Sequence, residues 1–134
     1  MHTHLSLNAR VFELPASAAA AGLARRELAA MPGIAGEVGY KALLMTSELI
    51  AVYVADVEPS PDATLRLAMR VTPERLRIEV GGRPPGVSPD ALLHSSETPS
   101  LGGYGLKIVE RMADDWGIEG ERDTMIWFEL PRAA

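Results

Sequence analysis

The chain has 134 residues, enough for one domain with a real core, and 47% of them are apolar. Thirteen basic against eighteen acidic residues give a net charge of -5, and no basic run is present that could follow a nucleic acid or an anionic membrane. The absence of cysteine excludes a disulfide framework, and neither a signal peptide nor a membrane-spanning apolar run is visible. We therefore expect a single cytoplasmic domain over residues 1–134 that binds neither nucleic acid nor membrane directly.

The first third of the chain predicts one strand and two helices. Loose alternation predicts a strand over residues 6–13, with Val11 among its apolar positions, and Pro15 ends it. Ser17 is a plausible N-cap for a helix that continues to about Met31. Its apolar stripe consists of Ala20, Ala24, Leu28 and Met31. A second helix, residues 37–56, is apolar around most of its circumference, as expected of a buried helix.

Three charged residues on these helices have two interpretations each. The adjacent Arg25 and Arg26 form either an ordinary solvated surface or a surface that recognises an acidic partner. Glu48 lies within about 40° of Val52 around the second helix, at the edge of its apolar face. A carboxylate there is either a hydrogen-bonded structural acid or a functional group.

The remaining chain predicts two hairpins and a third helix. Arginine and apolar residues alternate over residues 65–80 around a turn at residues 72–74, which predicts a hairpin with one covered face. A glycine- and proline-rich loop over residues 81–105 has the composition of a lid, with a single helical turn possible near residues 88–92. A helix follows to about Trp116, and strands are predicted over residues 117–121 and 124–130. This order predicts an α+β two-layer sandwich with helices on one face of a mixed, mostly antiparallel sheet.

The third helix follows a glycine-rich segment, residues 101–105. Glycines before a helix N-terminus let phosphates approach exposed backbone N–H groups at the positive end of the helix dipole. Anion binding is one hypothesis for this segment, and a hinge before an ordinary packed helix is the other.

Several features together resemble actinobacterial anti-sigma factors and the related serine-protein kinases. They are Ser47-Glu48-Leu49-Ile50, the strand that leads into a Pro-Pro-Gly loop, Gly103-Tyr104-Gly105-Leu106 and the ending Trp127-Phe128-Glu129-Leu130. That family belongs to the histidine-kinase-like, gyrase-like ATPase superfamily with the Bergerat fold. The resemblance spans about residues 6–130 and implies that fold for the whole core.

The resemblance also implies that two nucleotide-binding side chains are missing. The family's second helix carries Glu-x-x-x-Asn, in which the glutamate activates the attacking group and the asparagine helps to hold magnesium. Glu48 matches the glutamate, but Val52 stands at the asparagine position and has no oxygen for a hard cation. The aspartate that accepts a hydrogen bond from adenine corresponds to Gly82, or to Gly81 if the register shifts.

The glycine-rich box is the only nucleotide motif that the sequence keeps. It comprises Gly102, Gly103, Gly105 and Leu106, followed by Lys107, which could assist the phosphates. Loss of the adenine contact alone weakens binding by roughly tenfold to a hundredfold. Tyr104 and Val52 could also fill the volume of a nucleotide, although Tyr104 is equally compatible with an exposed loop position.

Two functions follow from the resemblance. In the first, the protein sequesters a sigma factor, is released by an antagonist protein in a partner switch, and has weak or lost ATP binding, with Glu48 vestigial. In the second, it is an active ATP- and magnesium-dependent kinase that phosphorylates the antagonist. The sequence favours the first function, with no cofactor and no metal site, since His2, His4 and His94 show no metal-ligand spacing. The resemblance further implies a homodimer that pairs near residues 6–12.

Overall fold

The computed structural model describes residues 8–32, 34, 36–56, 63–82, 105–120 and 125–132. Five strands and three helices lie in these ranges. The strands are β1 (Asn8–Pro15), β2 (Thr64–Val71), β3 (Arg75–Gly82), β4 (Asp115–Glu119) and β5 (Met125–Pro131), and the helices are α1 (Ala20–Ala30), α2 (Gly36–Asp56) and α3 (Gly105–Met112). The predicted α+β two-layer sandwich is confirmed.

The sheet has the strand order β1-β2-β3-β5-β4, and each of these neighbouring pairs is antiparallel. The described sheet is therefore antiparallel throughout, which agrees with the mostly antiparallel sheet that the sequence predicted and differs only in having no parallel pair. β3 and β4 do run in the same direction, as expected of strands joined through a helix, but β5 lies between them. β3 and β4 therefore run parallel to each other but are not hydrogen-bonded to each other.

One face of the sheet is covered by the helices and forms the core. Alternate residues of the three central strands are buried there, as their apolar spacing predicts. They are Leu65, Leu67, Met69 and Val71 on β2, Leu76, Ile78 and Val80 on β3, and Ile126, Phe128 and Leu130 on β5. The predicted α1 stripe of Ala20, Ala24, Leu28 and Met31 is also buried. α2 contacts α1, α3, β3 and β5, which places it at the centre of the helical layer.

Two predicted helix boundaries were wrong. The sequence predicted Ser17 as the N-cap of α1, but the helix begins at Ala20 and the Ser17 hydroxyl accepts a hydrogen bond from the Ala19 N–H, 3.3 Å away. Trp116 was assigned to the third helix, which in fact ends at Met112, because the backbone joins the sheet immediately afterwards. The Asp114 N–H donates to the Glu129 carbonyl at 2.9 Å, and Trp116 pairs with Phe128.

In the described residues the first strand extends to Pro15, two residues past its predicted end at Glu13, and the side chain of Val11 faces away from the core. The sequence placed Val11 among the apolar positions of residues 6–13, but its side chain is 58% exposed, whereas Leu14 is buried and Phe12 packs on the core. Pro15 is the last residue of β1, which confirms that this proline ends the strand. The single helical turn predicted near residues 88–92 lies outside the described residues.

No helix in the described part of the chain is long and apolar enough to cross a membrane.

Candidate functional site

The candidate site lies on three elements: the C-terminal half of α2, the end of β3 and the start of α3. α2 contacts both β3 and α3, so the structure brings together the elements that carry the predicted nucleotide-binding positions. Residues 83–104 of the predicted lid, which include Gly102, Gly103 and Tyr104, lie outside the described residues. The predicted loop was wrong at its ends, since Gly81 and Gly82 belong to β3 and Gly105 begins α3.

Glu48 and Val52 occupy different environments, although they are one helical turn apart. Glu48 is partly buried, at the margin of the helical layer, as its position at the edge of the apolar face predicts. Val52 is only 2% exposed and belongs to the hydrophobic core. The position that the resemblance assigns to a magnesium ligand is therefore an apolar core position in this chain.

Gly82 is the last residue of β3, and it pairs with Leu65 on β2. It contributes no side-chain acceptor, and neither does Gly81 before it. Gly105 and Leu106 form the first residues of α3, which confirms that the glycine-rich segment leads into a helix N-terminus. Lys107 is exposed on the next position of that helix. Backbone N–H groups are thus the donors that this segment can offer an anion.

The arginines predicted to meet a partner are both exposed on α1. Arg25 Nη1 donates a hydrogen bond to the Ser47 hydroxyl on α2, at 3.3 Å, directly before Glu48 in the chain. This contact joins Arg25 to α2 one residue before Glu48. Arg26 is exposed on α1.

Tyr53 anchors α2 to the sheet and was not among the residues predicted for the core. It is fully buried, and a backbone hydrogen bond joins its hydroxyl to Ile126 on β5. Burial raises the pKa of Tyr53 far above its usual range, and the hydrogen bond to Ile126 opposes that rise only in part. The signal was present in the sequence, since Tyr53 is four residues after Leu49 and continues its face of α2.

At two positions that the resemblance assigns to nucleotide binding, the described structure has no polar side chain. Val52 and Gly82 provide no side-chain oxygen for a metal ion or an adenine amino group, and Val52 is packed among apolar residues. Within the described ranges, no group of three or more His, Asp or Glu side chains is arranged to hold a metal ion.

The sequence matches no protein-family model and no curated protein.

Proposed function

We propose that this protein is a cytoplasmic regulatory module of the anti-sigma-factor type: it binds and sequesters a sigma factor, and an antagonist protein releases that factor. The proposal rests on the resemblance together with one structural observation. Val52 lies in the apolar core at 2% exposure, at the position where an active relative needs an oxygen ligand. A scaffold of this kind without its metal ligand suits protein binding better than phosphoryl transfer.

The proposed sigma-factor contact is the rim formed by Arg25 and Arg26 on α1. Two exposed guanidinium groups on a rigid helix can form bidentate contacts with carboxylates of a partner. Because the Ser47 hydroxyl already holds Arg25, part of the entropy cost of ordering that side chain is met before a partner arrives. Arg25 should therefore contribute more to affinity than Arg26.

Affinity purification from native lysate, followed by mass spectrometry, tests this function. A sigma factor should be recovered with the unaltered chain and lost with the Arg25→Glu/Arg26→Glu variant, since a carboxylate at these positions repels an acidic surface. Arg111→Glu, a charge reversal at an exposed position on α3, is the matched control and should retain the partner. Recovery of metabolic enzymes alone, with no sigma factor, would contradict the proposal.

We further propose a homodimer formed through the edge of β1. β1 is a terminal strand of the sheet, and one of its backbone edges pairs with no strand among the described residues, so that edge is the one we expect a second copy to join. The Ala16 N–H donates to the Ala63 carbonyl, at 2.9 Å, and N–H groups alternate along a strand. The N–H groups of Ala9 and Val11 accordingly point to the free edge.

Sedimentation velocity of Val11→Pro tests the dimer. Proline at this position removes one N–H from the free edge and none from the pairing with β2, so the unaltered chain should sediment as a dimer and the variant as a monomer. Val11→Thr keeps the N–H and serves as the control. Equal association of all three chains would exclude pairing through this edge.

A further inference from the structure

The side of α2 that faces away from the sheet carries a stripe of Tyr40, Leu44, Ser47 and Ala51. These residues follow one another at steps of four, three and four, so they lie within about 60° around the helix axis. Tyr40 is 66% exposed although it is a large aromatic residue, and the other three are half-buried. Tyr53, which anchors α2 to the sheet, lies on the other side of the helix. We call these four residues the α2 stripe.

A guanidinium group meets the α2 stripe at Ser47. Arg25 Nη1 on α1 donates a hydrogen bond to the Ser47 hydroxyl at 3.3 Å. Ser47 is two helical turns after Tyr40, which places the two side chains about 10 Å apart along the helix axis. A guanidinium has five N–H donors, so this one contact leaves Arg25 able to bind a carboxylate as well. The stripe therefore combines an exposed aromatic ring with a cation two turns away.

The acidic residues nearest in sequence to this contact do not pair with Arg25. Glu27 is two residues later on α1, on the opposite side of that helix, and Glu48 follows the serine about 100° further around α2. None of the ion pairs between described residues includes Arg25, Glu27 or Glu48. Beside Tyr40, by contrast, Lys41 Nζ lies 3.0 Å from Glu37. Arg25 is thus a cation of this surface that the described residues do not neutralise.

We propose that the α2 stripe binds an amphipathic α-helix of a partner protein. Apolar side chains of that helix cover Tyr40 and Leu44, and a carboxylate beside its apolar face, about two turns away, binds Arg25. Tyrosine and arginine are the residue types that most often dominate binding energy in protein interfaces. The inference rests on the proposed role of Arg25 in partner binding and adds the conformation and chemistry of the partner segment.

A helix fits this surface better than an extended segment or a nucleic acid does. The N–H and C=O groups of α2 are bonded within the helix, so an extended segment cannot join it as a strand. Side chains at steps of four and three form a ridge that packs along the matching ridge of a second helix. A nucleic acid needs a row of cations along its backbone, and the chain's net charge of -5 opposes its approach.

An NMR titration of the full chain tests the proposal. The probe is the peptide acetyl-Ser-Ala-Leu-Ala-Lys-Ala-Leu-Gln-Ala-Leu-Glu-Gln-Ala-Leu-Gln-Gln-Ala-amide, whose leucines repeat the spacing of the α2 stripe and whose glutamate borders the leucine face. We expect saturable shifts of the amide resonances of residues 40–51 and of Arg25. A comparison peptide with glutamine in place of the glutamate should bind about tenfold more weakly. The probe contains no sigma-factor sequence, so this result does not depend on which partner the purification recovers.

Variants of the chain separate the two parts of the contact. Tyr40→Ala and Arg25→Gln should each weaken peptide binding by about tenfold, and neither removes a buried side chain. The matched controls lie on the sheet, away from α2. Val11→Ala alters the other exposed large hydrophobic residue of the described chain, and Arg70→Gln removes an exposed arginine. Both controls should bind the probe with the affinity of the unaltered chain.

A charge swap keeps the result independent of folding. Arg25→Glu should lose the probe and bind a peptide with arginine in place of the glutamate, which a misfolded variant would not do. Absence of shifts at millimolar probe, equal binding by Tyr40→Ala, or failure of the charge swap would each overturn the proposal. Sedimentation of Tyr40→Ala addresses a second copy of the chain. If this substitution alone turns a dimer into a monomer, the α2 stripe is a dimer interface and the proposal is wrong.

Discussion

The two faces of the sheet are built from alternate residues of the same strands, and they differ in burial and in charge. On the helix-covered face, Phe128 and its neighbours are fully buried and carry no charge. On the open face, the adjacent Trp127 lies under Arg77, whose guanidinium carbon is 4.3 Å from the ring centroid, beside the carboxylates of Glu79 and Glu129. The free energy of folding depends mainly on the covered face, whereas the charged side chains of the central strands are on the open face.

The largest predicted effect contrasts neighbouring aromatic residues on β5. Phe128→Ala should lower the free energy of unfolding by about 3–5 kcal/mol, because it opens a cavity in the core. Trp127→Ala should cost less than half of that, since it removes a partly buried side chain and an interaction with Arg77. Urea unfolding measures both values, and equal losses would contradict the division of labour between the two faces.

The second prediction concerns a close approach on the open face. Trp127 crosses over Gly117 on β4, and a Cβ atom at Gly117 would lie 2.7 Å from the indole Nε1. Gly117→Ala should therefore destabilise the fold by about 1–3 kcal/mol, because the indole must move away. The same substitution in a Trp127→Ala background should be close to neutral in urea unfolding. A full loss in that background would show that the indole is not the cause.

The third prediction uses the buried hydroxyl of Tyr53. Its pKa is raised in the folded state, so above pH 10 the unfolded chain loses this proton while the folded chain keeps it. The contribution of the Tyr53 hydroxyl to the free energy of unfolding is fully present below pH 10. It declines by up to about 1.4 kcal/mol per pH unit as the pH rises above 10. Tyr53→Phe should unfold with a weaker alkaline dependence in urea titrations between pH 9 and about pH 11. Identical pH profiles would contradict the burial of this group.

The smallest predicted effect comes from the ion pairs of the open face. The Glu129 carboxylate accepts hydrogen bonds from Arg75 Nε at 2.8 Å and from Arg77 Nη1 at 3.0 Å. The hydrogen bonds that Arg75 donates to Asp114 and Glu129 raise the pKa of Arg75. Glu129→Gln should cost about 1 kcal/mol, since the pairs are partly exposed, and the cost should shrink in high salt. A loss that does not change with salt would point to packing instead of charge.

The sequence predicted the layers of the fold well and their edges less well. The central hairpin was predictable because strict alternation over residues 65–80 determines which side chains face the core. The orientation of Val11 was not predictable, because the loose alternation of this edge strand does not determine which side chains face the core. The position of Trp116 was not predictable either, because the helix ends where the Asp114 N–H bonds to β5.

The candidate site was predictable in its elements but not in its energetics. Glu48 at a margin and glycines before a helix both follow from local pattern. The burial of Val52 was predictable as well, because its spacing places it on the apolar face of α2, and the structure confirms it. The pairing of side chains on the open face depends on strand register. The sequence alone does not show that Arg70 and Arg77 lie opposite each other.

Calorimetric titration of the purified chain with ATP and magnesium tests the central claim most directly, with Val52→Asn/Gly82→Asp as the comparison. We predict no measurable binding by the unaltered chain. We also predict no gain in the double variant, because an asparagine at position 52 enters an apolar core and costs about 1–3 kcal/mol of stability. Val54→Asn, at a less buried position of α2, should cost less. Micromolar ATP binding by the unaltered chain would contradict the account.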